Sequence, residues 1–474
     1  EGEEFPAIVV RRGIAQDAYK GVVKGISQTV FEVNHFITPL LKLNPEYDKD
    51  VKGHRAIQAA EYIGDRIFKF GYFLDSRGRI YVTATNGINT QGADFEKAMC
   101  IPTFRERLSP QGFLNLLGRA DTQCGDPTLT TLPLEAKPAA YAAVAASASI
   151  DTRWMAWEEP YVGIAACQLI KQYINNPEEP INAFVERDGK CSGLQHWSAL
   201  LRTDAITHRL GMEIEPAEDG MDIYEYVAYR WKEILSEEHK KYGVRKAAKK
   251  PVMTFAYSAT RHSAMDYIAN LYPELGRSVA CKLGSSLFDM SNKILEPMVE
   301  GVDWLKECVK IISAKGHTDI QWITPDGFIA IQSKFQTEYT ETKVVIKRKA
   351  HAVKCKDPIY VDGKPIPNVR KAQLSIGPNI IHSLDATHLR MVAARLEMMG
   401  IPAIWVHDSF AVHANYIDIL DKVIRQEFIA MYSKDIMNEI RDYWMEFYKV
   451  DLPEAPKLGK WNVDKIEFCP KFFS

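Results

Sequence analysis

The stretch that decides the fold is residues 184–202, FVERDGKCSGLQHWSALLR. A strand-like run ends at Asp188, Gly189 follows directly, and a helical pattern begins near Leu194. Because glycine has no side chain, the backbone and the Asp188 carboxylate can both approach a ligand closely at this point. An Asp-Gly pair after a strand is also a common turn, so this stretch alone leaves both interpretations open.

The second informative stretch is residues 405–414, WVHDSFAVHA. Apolar residues on both sides of His407, Asp408 and Ser409 predict a tight hairpin with an acidic tip. The tip is either solvated or it binds a cation, since a buried carboxylate needs a cation or a metal. Together with Asp188, Asp408 indicates two carboxylates from separate strands that converge on a divalent metal, as in the two-metal clamp for phosphoryl transfer.

A dense run of positive charge forms the third informative stretch. Six cations and no acid lie between positions 240 and 250, namely Lys240, Lys241, Arg245, Lys246, Lys249 and Lys250. Arg245 and Lys249 are four residues apart and Tyr257 lies eight further on, so all three can share one helical face. That face offers two cations for a triphosphate and a ring for a base or sugar, although a solvated helix face is the alternative. Pro251 predicts a kink or a local restart of this helix.

The composition excludes a protein with a strongly basic coat. Lys and Arg total 59 and Asp and Glu total 61 among 474 residues, which gives a net charge of −2. Any contact with nucleic acid must therefore come from local basic patches. The 8 cysteines are dispersed without a CxxC pair, which argues against a zinc ribbon, and no apolar run is long enough for a transmembrane helix.

Hydrophobic periodicity predicts an α/β body in which a small sheet is interrupted by long helical insertions. The length predicts about two to four structural units. In chain order, the predicted segments are helix over 14–70, strand over 79–83, helix over 105–178, strand over 183–187, helix over 218–315, short strands over 318–370, helix over 383–399, a hairpin over 403–412 and helix over 416–449.

In their order, these three stretches resemble motifs A, B and C of the single-subunit, bacteriophage-type DNA-directed RNA polymerases, a family that includes the mitochondrial enzymes. The resemblance runs from about residue 20 to the end of the chain and rests on several further motifs. These are DSRGRIY at 75–81, Gln91–Gly92, Lys97, Asp222–Ile223–Tyr224, TPDGF at 324–328, HSLD at 382–385 and the aromatic tail Phe472–Phe473–Ser474.

The resemblance implies a right-hand polymerase fold, α/β (α+β) and helix-rich, with thumb, palm and fingers. It also implies that most of the family's N-terminal promoter-binding domain is lacking. The implied regions are a thumb-like helical region at 1–66, palm at 67–105, 178–216 and 383–437, a palm insertion at 106–177, fingers at 217–382 with a specificity hairpin at 329–381, and a C-terminal extension at 438–474.

The resemblance also implies roles for individual side chains. Asp188 and Asp408 would bind two magnesium ions with help from the Gly189 carbonyl. Arg245 and Lys249 would bind the phosphates of the incoming nucleotide, and Lys249 would act as the general acid for pyrophosphate. Tyr257 would select the ribose, His407 would support the catalytic turn, and Arg79 would contact template or hybrid. His382 would contact the ribose or the nascent base pair, and Lys97 would bind substrate. Tyr224 would lie in the nucleotide pocket or in the core.

Two other functions are weighed against RNA synthesis. A family A DNA polymerase carries a glutamate five residues after the motif A aspartate and a glutamate in motif C, where this chain has Gly193 and Ser409. A catalytically inactive nucleic-acid-binding subunit would lack a metal carboxylate or Lys249, and Asp188, Asp408 and Lys249 are all present.

Basic residues in the implied specificity hairpin suit contact with DNA phosphates, although a solvated hairpin without sequence preference is the alternative. They are Lys343, Lys347, Arg348, Lys349, Lys354 and Lys356. The expected partners are template DNA, the RNA transcript and NTPs, with no membrane. The short segment before the Arg79 motif predicts either a truncated chain or a divided polymerase that needs a second polymerase chain or an accessory initiation protein. The expected location is the cytoplasm of a phage-infected bacterial cell, with mitochondria as the alternative.

Overall fold

Helices make up most of the fold in this computed structural model, which describes residues 22, 25–45, 50–83, 87–255, 260–346 and 349–473. The helices are α1 (Ile37–Leu41), α2 (Val51–Ile63), α3 (Asp94–Ala98), α4 (Pro110–Cys124), α5 (Pro127–Thr130), α6 (Lys137–Ser147), α7 (Pro160–Asn175), α8 (Ser192–Leu201), α9 (Ile223–Ile234), α10 (Arg245–Phe255), α11 (Arg261–Leu271), α12 (Arg277–Ile294), α13 (Glu296–Ala314), α14 (Val369–Met398), α15 (Ile417–Met431) and α16 (Ile436–Tyr448). This confirms a helix-rich α/β fold.

The strands are antiparallel, and all except Thr337–Ile346 and Lys349–Pro358 have five residues or fewer. They are β1 (Phe31–Val33), β2 (Tyr72–Leu74), β3 (Ile80–Val82), β4 (Cys100–Pro102), β5 (Phe184–Asp188), β6 (Asp319–Ile323), β7 (Ile329–Ser333), β8 (Thr337–Ile346), β9 (Lys349–Pro358), β10 (Tyr360–Val361), β11 (Lys364–Pro365), β12 (Ala403–Val406) and β13 (Ser409–His413). Strands β12, β13 and β5 form a three-stranded sheet in that order, whereas β1–β4, β2–β3, β6–β7, β8–β9 and β10–β11 are two-stranded pairs.

Helix α14 forms the centre of the fold. It packs against α13, α15 and α8, and apolar residues such as Ile376, Leu384 and Val392 bury different sides of it. A helix that is buried around most of its circumference belongs in the core of a large domain. The helix therefore fixes α8, which follows Asp188, and β12, which precedes Asp408, relative to each other.

Three of the sequence predictions about helices need correction. The helix predicted from residue 383 begins at Val369, because the Asn368 side chain caps it by accepting the Lys371 N–H at 3.0 Å. The predicted helical region 14–70 contains β1, which pairs with β4 and is therefore stabilised by a contact distant in sequence. Pro251 does not divide the basic helix, because α10 runs from Arg245 to Phe255.

A buried ion pair joins α14 to two loops. The Arg390 guanidinium is 1% exposed; it donates to Asp326 Oδ2 at 2.7 Å and to the Gly78 carbonyl at 2.8 Å. Phe328 lies against the same guanidinium, 4.7 Å from its ring centroid. Gly78 has φ +84°, and a Cβ there would collide with the Arg390 side chain. This contact holds the 75–79 and 324–328 loops against the central helix.

Candidate active site

The backbone of the three-stranded sheet brings Asp188 and Asp408 together. Asp188, the last residue of β5, is in register with Ser409, the first residue of β13. Asp408 directly precedes Ser409 in the two-residue turn between β12 and β13, and its carbonyl accepts the Gly189 N–H at 3.2 Å. The two carboxylates therefore project from the same end of neighbouring strands, as the sequence predicts.

His407 makes this turn possible through an uncommon backbone conformation. Its φ is +51°, in the left-handed region that tight hairpin turns use. Its ring packs edge-on against Tyr81, with 5.0 Å between centroids. Burial and the nearby Arg79 charge lower the pKa of His407 to about 4, so the imidazole is neutral at neutral pH.

The electrostatic environment favours a cation between the two carboxylates. Partial removal from water and the charge of Asp408 raise the pKa of Asp188 to about 7, although its surface still meets solvent in the cleft. Burial, followed by the charge of Asp385, also raises the pKa of Asp408. Two neighbouring acids that resist ionisation together are stabilised by a bound positive charge.

The oxygen donors at this site suit magnesium better than a metal ion that is coordinated entirely by protein groups. They are two carboxylates and the adjacent Gly189 carbonyl, and no group of three or more His, Cys, Asp or Glu side chains suited to a metal occurs among the described residues. Magnesium retains several waters and takes few carboxylates together with substrate phosphates. The residues that are present therefore fit the magnesium site predicted from the sequence.

Helix α10 presents the two predicted phosphate-binding cations four residues apart. Arg245 pairs with Asp222 at 2.7 Å and lies 5.2 Å from the centroid of the Tyr224 ring. Lys249 lies 3.9 Å from Glu158. Both cations are about half exposed, so each is accessible to a ligand from solvent and its ion pair is weak. Tyr257, the third predicted member of this face, lies outside the described residues.

Tyr224 lies at the boundary between the site and the core. It is 9% exposed on α9, and burial together with the neighbouring Cys191 raises the pKa of its hydroxyl above the ordinary value. Cys191 has φ +73° at the start of α8, so the chain turns sharply after Gly189. Both sequence interpretations of Tyr224 are compatible with this position.

The DSRGRIY loop packs against the turn between β12 and β13, through the contact between Tyr81 and His407. Arg79 forms an ion pair with Asp385 of α14, and the two side chains are 14% and 3% exposed. Arg77 Nη1 donates to His382 Nδ1 at 2.8 Å, and burial lowers the pKa of His382 to about 2. The structure thus brings Arg79 and His382 into one cluster with His407, and the Arg79 guanidinium points largely into the protein.

Lys97 lies beside the cleft that contains Asp188 and Asp408. It forms an ion pair with Glu159 at 3.4 Å, and the charges of both act on Asp188. A cavity of about 770 Å³ opens beside these residues and is lined by Asp188, Asp408, Lys97 and Glu159, among others. Lys97 is therefore close enough to the carboxylates to contact a substrate bound there.

The C-terminal tail packs against the segments that carry the two carboxylates. Phe473 forms a β-bridge with Gly189, and its ring stacks on Phe410 of β13 at a centroid distance of 5.8 Å. The Gln195 side chain of α8 donates to the Phe472 carbonyl at 2.8 Å. The tail therefore contacts the segments that follow both Asp188 and Asp408.

The specificity hairpin predicted over 329–381 contains the β8–β9 hairpin but also includes β7 and the first turns of α14, and the two faces of β8–β9 differ in charge. The register opposes Tyr339 to Lys356, Glu341 to Lys354 and Lys343 to Ala352, so that face carries three lysines. Lys356 lies 5.2 Å from the centroid of the Tyr339 ring. Lys347 and Arg348 lie outside the described residues.

The acidic partners of the cationic side chains escaped the sequence prediction, although Asp222 itself belongs to a motif quoted from the sequence. Glu158 and Glu159 engage Lys249 and Lys97, and Asp222 engages Arg245. Asp222 has a local signal, because it caps α9 in a reciprocal capping box with Glu225. The Glu158–Glu159 pair has none, since an acidic dipeptide before a helix is usually solvated.

The fold and the site define a helix-rich α/β protein with a carboxylate pair at the edge of a central sheet. A family model of DNA-dependent RNA polymerase matches residues 139–455. The chain is 25% identical to the human mitochondrial DNA-directed RNA polymerase over 88% of its length, and 27% identical to Arabidopsis thaliana mitochondrial DNA-directed RNA polymerase 1 over 68%. It is 25% identical to Nicotiana tabacum chloroplastic DNA-directed RNA polymerase 3B over 68% of its length.

The chain belongs to the DNA-dependent RNA polymerase family and corresponds to the C-terminal catalytic region of its phage-type, single-subunit members. It spans about a third of the length of these relatives, 36% of the human protein and 34% of each plant protein. The predicted location, the cytoplasm of a phage-infected bacterial cell, is wrong, because these relatives are mitochondrial and chloroplastic polymerases. Within the described part of the chain, every helix is too short or too polar to cross a membrane.

Proposed function

We propose that this chain catalyses template-directed RNA synthesis, adding nucleotides from NTPs to the 3′ end of an RNA strand paired with DNA. The observation that carries the proposal is the convergence of Asp188 and Asp408 at one sheet end. Family membership supports the same activity. The cations of α10 supply the second element that nucleotidyl transfer needs, which is charge for a triphosphate.

In the proposed mechanism, one side of the cleft holds the metal and the other binds the triphosphate. Asp188, Asp408 and the Gly189 carbonyl would hold magnesium, which would lower the pKa of the attacking 3′-hydroxyl and balance the charge of the leaving pyrophosphate. Arg245 and Lys249 release their carboxylate partners and bind the triphosphate. Lys249 then donates a proton to the departing pyrophosphate.

The cluster behind the turn has a positioning role in this proposal. His407 holds the turn in its left-handed conformation, and the Arg79–Asp385 pair fixes the loop that supports it. Because Nδ1 of His382 accepts from Arg77, the neutral imidazole carries its proton on Nε2, where it can act as a hydrogen-bond donor toward a ribose or base pair without carrying a charge.

The proposed partners are template DNA, the RNA product and NTPs, and the proposed location is an organelle, as for the relatives. Thumb, palm and fingers follow the region boundaries given by the sequence. The lysine-bearing face of β8–β9 is proposed to contact DNA phosphates, since basic side chains position a protein on a duplex. A second polymerase chain or accessory initiation protein stays a prediction of the sequence.

The test is primer extension on a single-stranded DNA template with magnesium, comparing NTPs with dNTPs. The proposal predicts products that follow the template and a strong preference for NTPs. Omission of the template, or chelation of the metal by EDTA, should abolish extension. Efficient use of dNTPs would favour a DNA polymerase, and a lack of incorporation would favour an inactive binding subunit.

The tail gives a further prediction. Replacing Phe473 by alanine removes the ring that stacks on Phe410 and loosens the strand that pairs with Gly189. We expect the extension rate to fall by about tenfold to a hundredfold, because a small displacement of a reacting group has effects of that size. Phe473→Leu, which keeps most of the apolar volume, should retain most of the rate in the same single-turnover assay. Equal rates for the two variants would contradict this role.

A further inference from the structure

A lysine without a carboxylate partner follows the proposed metal site. Lys190 comes directly after Gly189, is half-buried, and precedes the first residue of α8 by two positions. Within the described part of the chain, its ammonium group forms neither an ion pair nor a hydrogen bond. Because a partly buried ammonium group has lost some of its water, a negatively charged ligand stabilises it. Lys190 is therefore a candidate contact for an anion beside the metal site.

The C-terminal tail places a second lysine beside the first. Phe473 forms an antiparallel β-bridge with Gly189, and Lys190 and Lys471 lie one and two residues from that bridge. Burial, followed by the charge of Lys471, lowers the pKa of the Lys190 ammonium group. Lys471 is exposed and likewise has no ion pair with a described residue. Since two neighbouring ammonium groups repel each other, a bound anion stabilises the pair.

The Asp222 carboxylate connects these two lysines to the cations of α10. It accepts from Arg245 Nε at 2.8 Å, and its charge also acts on Lys190. Neither Lys190 nor Lys471 lines the cavity that opens beside the carboxylate pair. The two lysines are therefore on the side of the cleft where the triphosphate is proposed to bind.

Hydrogen bonds to the backbone fix this arrangement. The Gln195 side chain of α8 donates to the Leu210 carbonyl at 3.0 Å and to the Phe472 carbonyl at 2.8 Å. Arg209 Nη1 donates to the Met221 carbonyl at 3.2 Å. The tail and the start of α9 are thus both held close to α8.

The chemistry of nucleotidyl transfer selects the part of the nucleotide that these lysines fit. The 3′-oxygen bonds to the α-phosphorus, and the bond from that phosphorus to the oxygen that bridges to the β-phosphate breaks. That oxygen leaves with the β- and γ-phosphates as pyrophosphate. Because the reacting α-phosphate belongs at the metal carboxylates, a cation two residues beyond Asp188 is placed for the phosphates that follow, and lysine binds phosphate as a point charge.

We infer that Lys190 and Lys471 bind the β- and γ-phosphates of the incoming NTP and then the pyrophosphate that leaves. The inference rests on the proposed function and deepens it. Both lysines keep their protons throughout, unlike Lys249, which is proposed to donate one. The C-terminal tail thus contributes a substrate contact in addition to its packing.

The test uses Lys190→Met and Lys471→Met, which remove the charge and keep an unbranched side chain, and Lys190→Arg, which keeps the charge. Lys457→Met, at an exposed lysine of the segment after α16, is the matched control. Each protein extends an RNA primer on the same DNA template, and kcat, KM for NTP and the inhibition constant of inorganic pyrophosphate are measured. The affinity for primer–template hybrid without NTP is measured by fluorescence anisotropy, and thermal midpoints are recorded.

We expect Lys190→Met to raise both KM and the pyrophosphate inhibition constant by about tenfold, the effect of one charge-assisted hydrogen bond. Lys471→Met should raise both by about threefold, because its ammonium group is exposed. The value of kcat should change little, since the contact is made before and after transfer. Lys190→Arg and Lys457→Met should behave as wild type, and hybrid affinity and thermal midpoints should hold.

Three results would overturn the inference. Unchanged KM and pyrophosphate inhibition in Lys190→Met overturn it and leave the proposed function standing, and Lys471→Met decides alone if Lys190→Met does not fold. A loss of hybrid affinity at constant KM assigns the lysines to the nucleic-acid backbone instead. Failure of the wild type to extend the primer overturns the proposed function, and the inference with it.

Discussion

Replacing Asp408 by asparagine is expected to lower the single-turnover rate of nucleotide addition by about a thousandfold or more. The variant keeps the shape of the side chain but removes one of the two charges that we propose hold the metal. A catalytic metal supplies several kcal/mol of transition-state stabilisation, and each 1.4 kcal/mol corresponds to about tenfold in rate. Asp188→Asn should have an effect of the same order, because the two carboxylates form one site.

The matched control is Asp204→Asn, an exposed aspartate away from the site. It should retain wild-type rate. The site variants should fold as stably as the wild type. The pKa values of Asp188 and Asp408 are raised in the folded protein, so ionisation of either carboxylate opposes folding at neutral pH, and a neutral asparagine removes that cost. Their thermal midpoints should therefore equal or exceed that of the wild type. A rate loss accompanied by a lower midpoint would point to misfolding instead.

Replacing Arg390 by methionine is expected to destabilise the fold by about 3–5 kcal/mol, the loss seen when one partner of a buried ion pair is removed. The change leaves the Asp326 carboxylate buried without its cation and the Gly78 carbonyl without its donor. Because these groups hold the 75–79 loop, nucleotide addition should weaken as well. Thermal and denaturant unfolding measure the first effect, and primer extension measures the second.

Arg370→Met provides the control for this prediction. Arg370 lies in the first turn of the same helix, α14, and is exposed, so the change should shift stability by well under about 1 kcal/mol. In Arg390→Met combined with Asp326→Leu, no buried charge is left unpaired, and part of the stability should return. A double variant less stable than Arg390→Met would contradict the ion-pair explanation.

Local sequence was sufficient to predict the elements that carry the carboxylates. Alternating apolar residues around Asp408 and the strand before Asp188 have signals within about ten residues of each acid, and the structure confirms both strands. The pairing of Asp188 with Asp408 was also predictable, because a metal site needs more than one carboxylate and the sequence offered two at strand ends.

The contacts that stabilise this site were not predictable in the same way. Arg79 meets Asp385, and Arg390 meets Asp326 and Gly78, across separations of up to 312 residues. Such pairs depend on which helix faces pack together, and no local pattern specifies that. The start of α14 was misplaced for a related reason, since Pro378 lies inside a helix that tertiary packing maintains.

Binding of Mn²⁺, a paramagnetic substitute for magnesium, followed by electron paramagnetic resonance in the presence of NTP, tests whether Asp188 and Asp408 hold the metal. Wild type and Asp204→Asn should bind the ion with equal affinity. Asp188→Asn and Asp408→Asn should each weaken binding by at least about tenfold. Equal affinity in all four proteins would show that these carboxylates do not hold the metal, and would contradict the account.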